Sequence, residues 1–368
     1  MKLPALATAH SHAFQRAMRG AAQRAGAGQD DFFTWRGQMY RLATSLTPES
    51  IARISRVAFR ELFAAGVRTV GEFHYVHHQT DGTPYAQRTL LSEIVIEAAR
   101  ASGLRVCLLR VAYHRAGPDK DAEPGQKRFC DPDVDAVLRD LDELRAKYKD
   151  APDVHVGVAP HSVRAVPPAW LAPLAEYATK HALPFHMHVA EVKREVDECL
   201  AETGKRPVEL LADLGVLSDR FCGVHCTNLL PHEAKLLGDA RAFGCICATT
   251  ERDLGDGLPD LGALRASGAR LCTGIDSHVI TDPFEDLRAL ETHERLRTRT
   301  RVTFSPPSGT PAEELWREGS LEGSNACGFA ETGGDIEIDR DHPTLALVPD
   351  DLLMDAIVFS GHPGLVKA

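Results

Sequence analysis

The sequence predicts an α/β protein whose core is a closed, TIM-like (β/α)8 barrel. The first observation is that eight short apolar segments rich in Val, Ile, Leu and Cys lie between residues 4 and 277, separated by polar and helix-like segments. Strands that alternate with helices form parallel βαβ units, and eight such units close into a barrel. The second observation is that no G-x-G-x-x-G turn follows any of these segments, which disfavours an open, doubly wound sheet.

Two periodicities predict the individual elements. Short apolar runs between polar turns predict the strands, at residues 4–9, 67–74, 105–112, 154–160, 184–190, 220–226, 243–248 and 269–276. Apolar residues at positions i, i+3, i+4 and i+7 predict helices that pack one face on the sheet, at residues 51–65, 90–101, 134–148, 168–181 and 231–242.

The alternation of strands and helices weakens after residue 291. Residues 320–336 are rich in small side chains, residues 335–339 alternate like a strand, and residues 352–359 fit either a helix or a strand. We therefore predict a barrel domain over residues 1–315 and a small C-terminal β appendage over residues 316–368.

Composition and charge exclude several classes of protein. The chain has 368 residues, of which 43% are hydrophobic and 26% charged, and this is an ordinary globular composition. A net charge of −10 argues against a nucleic-acid partner. We expect no membrane partner, because no apolar run reaches the length of a bilayer span and the N-terminus lacks a signal pattern. Nine cysteines without a CxxC pair indicate reduced thiols and a cytoplasmic location.

Metal-competent side chains follow several predicted strands at their C-terminal ends, where such barrels carry their working residues. Residues i and i+2 of a strand share a face, so His10 and His12 after the first strand can reach one ion. The other strand ends carry His161 (fourth strand), His186, His188 and Glu191 (fifth), His225 (sixth) and Asp276 (eighth). Imidazole and carboxylate ligands suit Zn²⁺, with Fe²⁺ or Mn²⁺ as alternatives.

Two other metal arrangements are less favoured. A second ion would need a bridging group, and the end of the fourth strand has no lysine nearby to supply one, so we expect a single metal ion. Cys245 and Cys247 offer thiolates, but their alternation within a strand suits packing inside the barrel. We interpret both as core residues.

The histidines, the glutamate and the aspartate at the strand ends resemble the amidohydrolase superfamily, in its mononuclear deaminase branch. Longer segments narrow this resemblance to the formimidoylglutamate deiminase (N-formimino-L-glutamate iminohydrolase) family. These segments are HSHAFQRAM (residues 10–18), DFFTWR (31–36), GEFHY (71–75), APHSVR (159–164), HMHVAE (186–191) and TTERDLGDG (249–257).

The resemblance implies a reaction and a metal site. The reaction would be the hydrolytic deimination of N-formimino-L-glutamate to N-formyl-L-glutamate and ammonia, a step of histidine degradation, with one zinc ion activating water. The implied metal ligands are His10, His12, His188 and Asp276, the last of which is also catalytic. Glu191 would protonate the imino nitrogen, and His225 would take or hold the proton of the water. His186 would support these residues without binding the ion.

The resemblance also implies a pocket for a small dicarboxylate. An acidic protein needs local cations to bind such a substrate, and arginine suits this task. The implied substrate-binding residues are Gln15, Arg36, Tyr75, His161 and Arg164. In the loop at residues 249–257, we expect Glu251, Arg252 and Asp253 to form ion pairs that brace the site.

The chain departs from the family pattern in three places. Asn228 stands where the family has a histidine, and His278 stands where it has a glutamine, which leaves the substrate specificity open. Family members begin with a segment that forms a small β-sandwich with the C-terminus, whereas Met1 here lies nine residues before the first implied ligand. We therefore expect a tail strand without partners, which implies an exposed edge, a homodimer that covers it, or a misassigned start.

Two other functions compete with this interpretation. One is a related deaminase that acts on another amidine or on a heterocycle, although Arg36 and Arg164 favour a ligand with carboxylates. The other is a catalytically silent, truncated homologue that keeps the barrel for binding or assembly.

Overall fold

Eight parallel strands form the central sheet in a computed structural model that describes residues 1–24 and 32–367. The strands β2 to β9 pair in chain order, and a bridge between Ser11 and Asp276 joins the two ends of the sheet into a (β/α)8 barrel. The strands are β1 (Lys2–Pro4), β2 (Leu6–Ser11), β3 (Val67–His74), β4 (Arg105–Ala112), β5 (Val154–Pro160), β6 (Phe185–Val189), β7 (Phe221–His225), β8 (Phe243–Ile246), β9 (Arg270–Thr273) and β10 (Asp335–Glu337).

Helices follow the barrel strands and pack outside them. Several begin where a side chain satisfies a free backbone N–H, as Asp133 does at the start of α4 by accepting a hydrogen bond from Ala136 N. The α-helices of the described residues are α1 (Phe32–Ser45), α2 (Pro48–Ala64), α3 (Leu90–Arg100), α4 (Val134–Tyr148), α5 (Pro168–His181), α6 (Lys193–Thr203), α7 (Pro207–Asp213), α8 (Pro231–Asp239), α9 (Ala248–Leu254), α10 (Leu261–Ser267), α11 (Pro283–Thr298), α12 (Pro311–Arg317), α13 (Gly323–Ala326) and α14 (Leu353–Ser360).

The predicted first and last barrel strands have wrong bounds. The first strand runs on to Ser11 instead of ending at residue 9, and the last strand ends at Thr273 instead of residue 276. At Gly274 an added Cβ would lie 2.8 Å from Cys247 Sγ and 2.8 Å from the Cβ of His10, so the chain passes this point only as glycine. The chain then leaves the strand conformation, and Asp276 has a φ of 54°.

Buried cysteines contribute to the barrel core. The nine cysteines are free thiols, and all except Cys130 are buried. The Sγ atoms of Cys222, Cys245 and Cys272 lie within 4.8 Å of one another. Buried cysteine packs as a small apolar side chain. The complete burial of Cys245 and Cys247 agrees with their interpretation as core residues.

The expectation that the tail strand lacks a partner is wrong. Strand β10 pairs antiparallel with β1, with Leu3 opposite Ile336. Residues before β10 cover the end of the barrel opposite to the predicted metal site, where Trp316 Nε1 donates to Pro4 O at 3.0 Å and His186 packs against Ala326. The domain boundary at residue 315 and the homodimer stay predictions. Among the described residues, no helix combines the length and apolar character that crossing a bilayer requires.

Candidate active site

The C-terminal ends of three strands bring four side chains to one point. His10 and His12 flank Ser11 at the end of β2, His188 lies on β6, and Asp276 follows β9. The Nε2 atom of His10 lies 3.1 Å from that of His12 and 3.2 Å from that of His188. The Oδ1 atom of Asp276 lies 3.2 Å from His12 Nε2 and 3.5 Å from His10 Nε2. All four side chains are buried.

This cluster has the geometry and the lone pairs that a metal ion requires. His12 Nδ1 donates to Phe73 O at 2.9 Å, and His188 Nδ1 donates to His161 O at 3.0 Å. Because these protons lie on Nδ1, the Nε2 atoms of His12 and His188 carry lone pairs that point at the centre of the cluster. Ligand atoms at about 2.0–2.1 Å from a tetrahedral ion lie about 3.3 Å apart, close to the four distances of 3.1–3.5 Å given above. The ligand atoms of the three histidines all lie within 4.8 Å of one another. The residues therefore fit a divalent cation.

The charge state of the three histidines agrees with this role. Burial lowers the pKa of all three imidazoles, and lowers that of His10 to about 3. Neutral imidazole is the form that binds a metal ion. Backbone carbonyls fix the tautomers of His12 and His188, and contacts of this kind orient the ligands in metal sites.

His225 and Glu191 lie beside this cluster, and each has a raised pKa. His225 Nε2 lies 3.5 Å from Glu191 Oε1 and 3.7 Å from Asp276 Oδ2, and its Nδ1 lies 3.3 Å from Glu251 Oε1. Burial opposes a charge on His225, but the surrounding carboxylates outweigh burial and raise the pKa of the imidazole to about 10. Burial also raises the pKa of the Glu191 carboxyl. The pair can therefore hold and move a proton next to the metal cluster.

Two residues of the site have a left-handed backbone conformation. His225 has a φ of 71° and Asp276 a φ of 54°, and this region is costly for residues other than glycine. Backbone hydrogen bonds hold the second of these turns, because Asp276 N donates to His10 O at 3.0 Å and His12 N donates to Asp276 O at 2.9 Å. The strands therefore fix the direction of the side chains that the site needs.

A pocket of about 460 Å³ opens above the cluster. All five of the predicted substrate-binding residues line it, namely Gln15, Arg36, Tyr75, His161 and Arg164. Helix α1 forms one wall, although Asp31 of the DFFTWR segment lies outside the described residues. Sequence reasoning missed the other lining residues, which are Phe32, Trp35, Met39, Tyr40, Tyr113 and Leu254.

The pocket contains a buried arginine that forms no ion pair with any of the described residues. Arg164 is 5% exposed, and its Nε and Nη1 atoms make no hydrogen bond within the described part of the chain. Gln15 Nε2 donates to Tyr75 OH at 2.8 Å, while Gln15 Oε1 is also without a partner there. Buried polar groups are normally hydrogen-bonded, and an unpaired buried charge is costly. Arg164 therefore indicates that an anionic group binds in this pocket.

The predicted ion-pair loop at residues 249–257 does form ion pairs through Glu251 and Arg252, but with residues outside the loop, whereas Asp253 accepts hydrogen bonds from Gln23. Glu251 pairs with no arginine of the described chain. Its Oε1 instead accepts a hydrogen bond from Cys247 N at 2.8 Å and lies beside His225 Nδ1. Arg252 pairs with Glu285, outside the loop. Glu251 thus orients a residue of the site. The sequence feature that could have predicted this role is the position of Glu251, four residues after Cys247 and in the first turn of α9.

Neither Asn228 nor His278 lines the pocket that the described residues form. Asn228 Nδ2 donates to the carbonyls of Ala190 and Glu191, at 3.1 and 2.8 Å. His278 Nε2 lies 2.8 Å from Ser11 Oγ. Both residues therefore support backbone segments that carry site residues. His186 is likewise outside the cluster, with its Nε2 2.8 Å from Ala326 O.

Ser11→Ala should weaken metal binding, although Ser11 touches no ion. Ser11 Oγ donates to Glu72 Oε2 at 2.6 Å and accepts from His278 Nε2, so alanine would leave two buried groups unpaired. We expect the free energy of unfolding of the metal-free protein to fall by about 1–3 kcal/mol. We expect metal affinity to fall by about 10- to 100-fold, as for other residues that orient ligands.

Urea unfolding and competition with a chromophoric chelator measure these two quantities. The exposed Ser308→Ala is the control and should change neither. A Ser11→Ala protein with unchanged metal affinity would contradict the role of Ser11 in orienting His10 and His12.

Comparisons with known proteins place this site in context. The chain matches the amidohydrolase family over residues 1–342. It is 38% identical to formimidoylglutamate deiminase of Pseudomonas aeruginosa, over 98% of this chain and 81% of that protein. It is 28% identical to 8-oxoguanine deaminase of the same organism, over 76% of this chain and 60% of that protein.

Solved structures show the same architecture. An amidohydrolase from Brucella melitensis superimposes with a TM-score of 0.90 at 33% identity, covering 100% of this chain and 84% of that chain. An adenosine deaminase from Xanthomonas campestris, solved with bound zinc, gives a TM-score of 0.81 at 20% identity, covering 99% of this chain and 77% of that chain.

Proposed function

The chain belongs to the amidohydrolase family and is a hydrolase acting on C–N bonds, and we propose that it deiminates N-formimino-L-glutamate to N-formyl-L-glutamate and ammonia. The observation that carries this proposal is the buried guanidinium of Arg164, which forms no ion pair with the residues that the structure describes and lies in the pocket beside the metal cluster. A carboxylate of the substrate would form the ion pair with this guanidinium. The likeness to formimidoylglutamate deiminase of Pseudomonas aeruginosa supports the same substrate.

We propose one Zn²⁺ per chain, held by His10, His12, His188 and Asp276, with Fe²⁺ or Mn²⁺ as alternatives. Three imidazoles and one carboxylate without a thiolate match these ions. When bound, the ion supplies Lewis-acid activation of water at neutral pH.

Glu191 and His225 carry the protons of the proposed reaction. Adding water to the formimino carbon forms a C–O bond, and ammonia leaves when the C–N bond breaks. Both protons of the water must therefore pass to the departing nitrogen, which leaves as NH3. His225 faces both Asp276 and Glu191, and its raised pKa lets it hold a proton beside the point where the water adds. Glu191 can deliver a proton to the imino nitrogen, because burial favours its protonated form.

The remaining lining residues hold the two carboxylates in this proposal. Arg164 and Arg36 supply positive charge, and the Arg36 guanidinium stacks over the ring of Tyr40, with its Cζ 5.4 Å from the ring centroid. Gln126 Nε2 donates to Tyr40 OH at 2.9 Å and to Tyr113 OH at 2.6 Å, which fixes two walls of the pocket. The hydroxyl of Tyr75 and the ring of His161, which is uncharged because burial lowers its pKa, line the same pocket as the two arginines.

We also propose that the enzyme works in the cytoplasm, as a step of histidine degradation. Nine free cysteines suit a reducing compartment.

A substrate panel tests the proposed function. Ammonia release by the metal-loaded protein is measured with N-formimino-L-glutamate, N-formiminoglycine, 8-oxoguanine and 5′-methylthioadenosine. We expect the highest kcat/KM for N-formimino-L-glutamate, and a lower value for N-formiminoglycine because it has a single carboxylate. A higher value for either heterocycle would identify a base deaminase instead. Release from none of the four by folded, metal-bearing protein would favour a catalytically silent homologue.

A further inference from the structure

Tyr40 on α1 and Tyr113 after β4 are two buried tyrosines that line the pocket and meet at their hydroxyl groups. The two hydroxyl oxygens lie 3.4 Å apart. The reaction described above gives neither hydroxyl a role. Buried polar groups are normally hydrogen-bonded, so the hydrogen of each hydroxyl requires an acceptor.

Gln126 fixes how both hydroxyl oxygens are used. Its Oε1 accepts a hydrogen bond from Glu123 N at 2.8 Å, which settles the orientation of the amide group. The amide nitrogen therefore faces the tyrosines, and Nε2 donates to Tyr40 OH at 2.9 Å and to Tyr113 OH at 2.6 Å. An amide nitrogen carries two hydrogens and accepts none, so each hydroxyl oxygen receives one hydrogen from Gln126.

One hydroxyl hydrogen of the pair is left without an acceptor in the described part of the chain. The two hydroxyl groups carry one hydrogen each, and only one of these can lie between the two oxygens. The other hydrogen bonds of both hydroxyl oxygens are those that they accept from Gln126. Burial and the neighbouring Tyr113 raise the pKa of Tyr40, so this hydroxyl keeps its hydrogen. At least one O–H group can therefore donate to a molecule in the pocket.

The surroundings of the two hydroxyl groups suit a carboxylate. The guanidinium of Arg36 lies over the ring of Tyr40, with its Cζ 5.4 Å from the ring centroid. Arg164 lines the same pocket, and its Nε and Nη1 atoms make no hydrogen bond to the residues that the structure describes. A carboxylate accepts hydrogen bonds from several donors at once, and those that it accepts are stronger than bonds between neutral groups.

The position of the tyrosine pair indicates which carboxylate it meets. Tyr113 reaches the metal cluster through the ring of His161, whose centroid lies 4.8 Å from that of Tyr113 and 4.7 Å from that of His188. The pair is thus one ring farther from the cluster than His161. In N-formimino-L-glutamate, the side-chain carboxylate is farther from the formimino carbon than the α-carboxylate is. The side-chain carboxylate is therefore the one that can reach the tyrosines.

We propose that Tyr40 and Tyr113 are specificity-determining residues that donate a hydrogen bond to the side-chain carboxylate of the substrate, and that Gln126 is the positioning residue that directs this hydrogen into the pocket. This inference rests on the proposed function. The pair adds an uncharged donor to the two arginines, and a substrate without a side-chain carboxylate gains nothing from it.

Tyr40→Phe and Tyr113→Phe test the proposal with N-formimino-L-glutamate and with N-formiminoglycine, which lacks the side-chain carboxylate. In at least one variant, we expect kcat/KM for N-formimino-L-glutamate to fall by about 10- to 100-fold, mainly through a higher KM, as for the loss of a hydrogen bond to a charged group. We expect kcat/KM for N-formiminoglycine to change by less than about threefold. Tyr177→Phe is the matched control and should change neither value, because this hydroxyl donates to Asp142 at the surface.

Each other outcome decides against the proposal. An equal loss for both substrates would show that the pair only supports the fold, and unchanged values in both variants would show that neither hydroxyl meets the substrate.

The wild-type enzyme offers a test that needs no substitution. We expect kcat/KM for N-formimino-L-glutamine, whose side-chain amide is uncharged, to be about 10- to 100-fold lower than for N-formimino-L-glutamate. Equal values would overturn the proposal. Wild-type protein that releases no ammonia from N-formimino-L-glutamate would instead overturn the proposed function, and this inference with it.

Discussion

Glu191→Gln is expected to lower kcat for ammonia release by about 10²- to 10⁴-fold while leaving one metal ion bound per chain. Glutamine keeps the size of the buried side chain, but it can neither give nor take the proton that the departing nitrogen needs. Glu191 lies 3.5 Å from His225 Nε2 and is not one of the three histidines whose ligand atoms lie within 4.8 Å of one another. The substitution should therefore lower kcat without lowering the metal content.

Steady-state kinetics and metal content, measured on the same sample, check this expectation. Glu198→Gln is the control, since Glu198 pairs with Arg194 on the surface of α6. A kcat of the Glu191→Gln enzyme within threefold of the wild-type value would show that Glu191 does not transfer the proton. Loss of the metal ion together with activity would instead make Glu191 a ligand.

Arg164→Met should weaken substrate binding without lowering the stability of the ligand-free protein. Methionine fills similar space without charge. Losing a buried charge pair with a carboxylate costs about 2–4 kcal/mol, so kcat/KM should fall by roughly 30- to 1000-fold. In the ligand-free protein the guanidinium is buried without a full set of partners, and its removal should leave the free energy of unfolding equal or higher.

Two measurements separate these effects, namely kcat/KM for N-formimino-L-glutamate and urea unfolding without ligand. Arg139→Met, at an exposed position of α4, should change neither. A large loss of stability in Arg164→Met would show that this arginine supports the fold and is not held ready for an anion.

Much of the barrel could be predicted because its elements are set by local periodicity. The strands at residues 67–74, 105–112 and 154–160 have the predicted bounds, as do the helices at residues 134–148 and 168–181. The spacing of His10 and His12 likewise placed both side chains on one face. The predicted ends of the first and last barrel strands were wrong because the close packing at Gly274 depends on residues far apart in the chain.

The supporting contacts of the site could not be predicted, because they join distant segments. Gln126 fixes Tyr40 across 86 positions, and Ser11 meets His278 across 267 positions. The tail strand was expected to lack a partner, yet residues 2–4 pair with it, since three residues are too few to show a strand periodicity. Asn228 departs from the family pattern, which left the substrate specificity open in the sequence. In the structure its side chain donates to two backbone carbonyls and so supports the backbone next to the site.

In the proposed function, one metal ion, held by His10, His12, His188 and Asp276, serves the deimination of a dicarboxylate amidine. Titrating metal-free protein with Zn²⁺ and measuring ammonia release from N-formimino-L-glutamate at each ratio, beside Asp276→Ala, tests this proposal. We expect activity that rises linearly, reaches its plateau at one ion per chain and is lost in Asp276→Ala. No release from folded protein with one bound ion, or a plateau reached only at two ions, would contradict it.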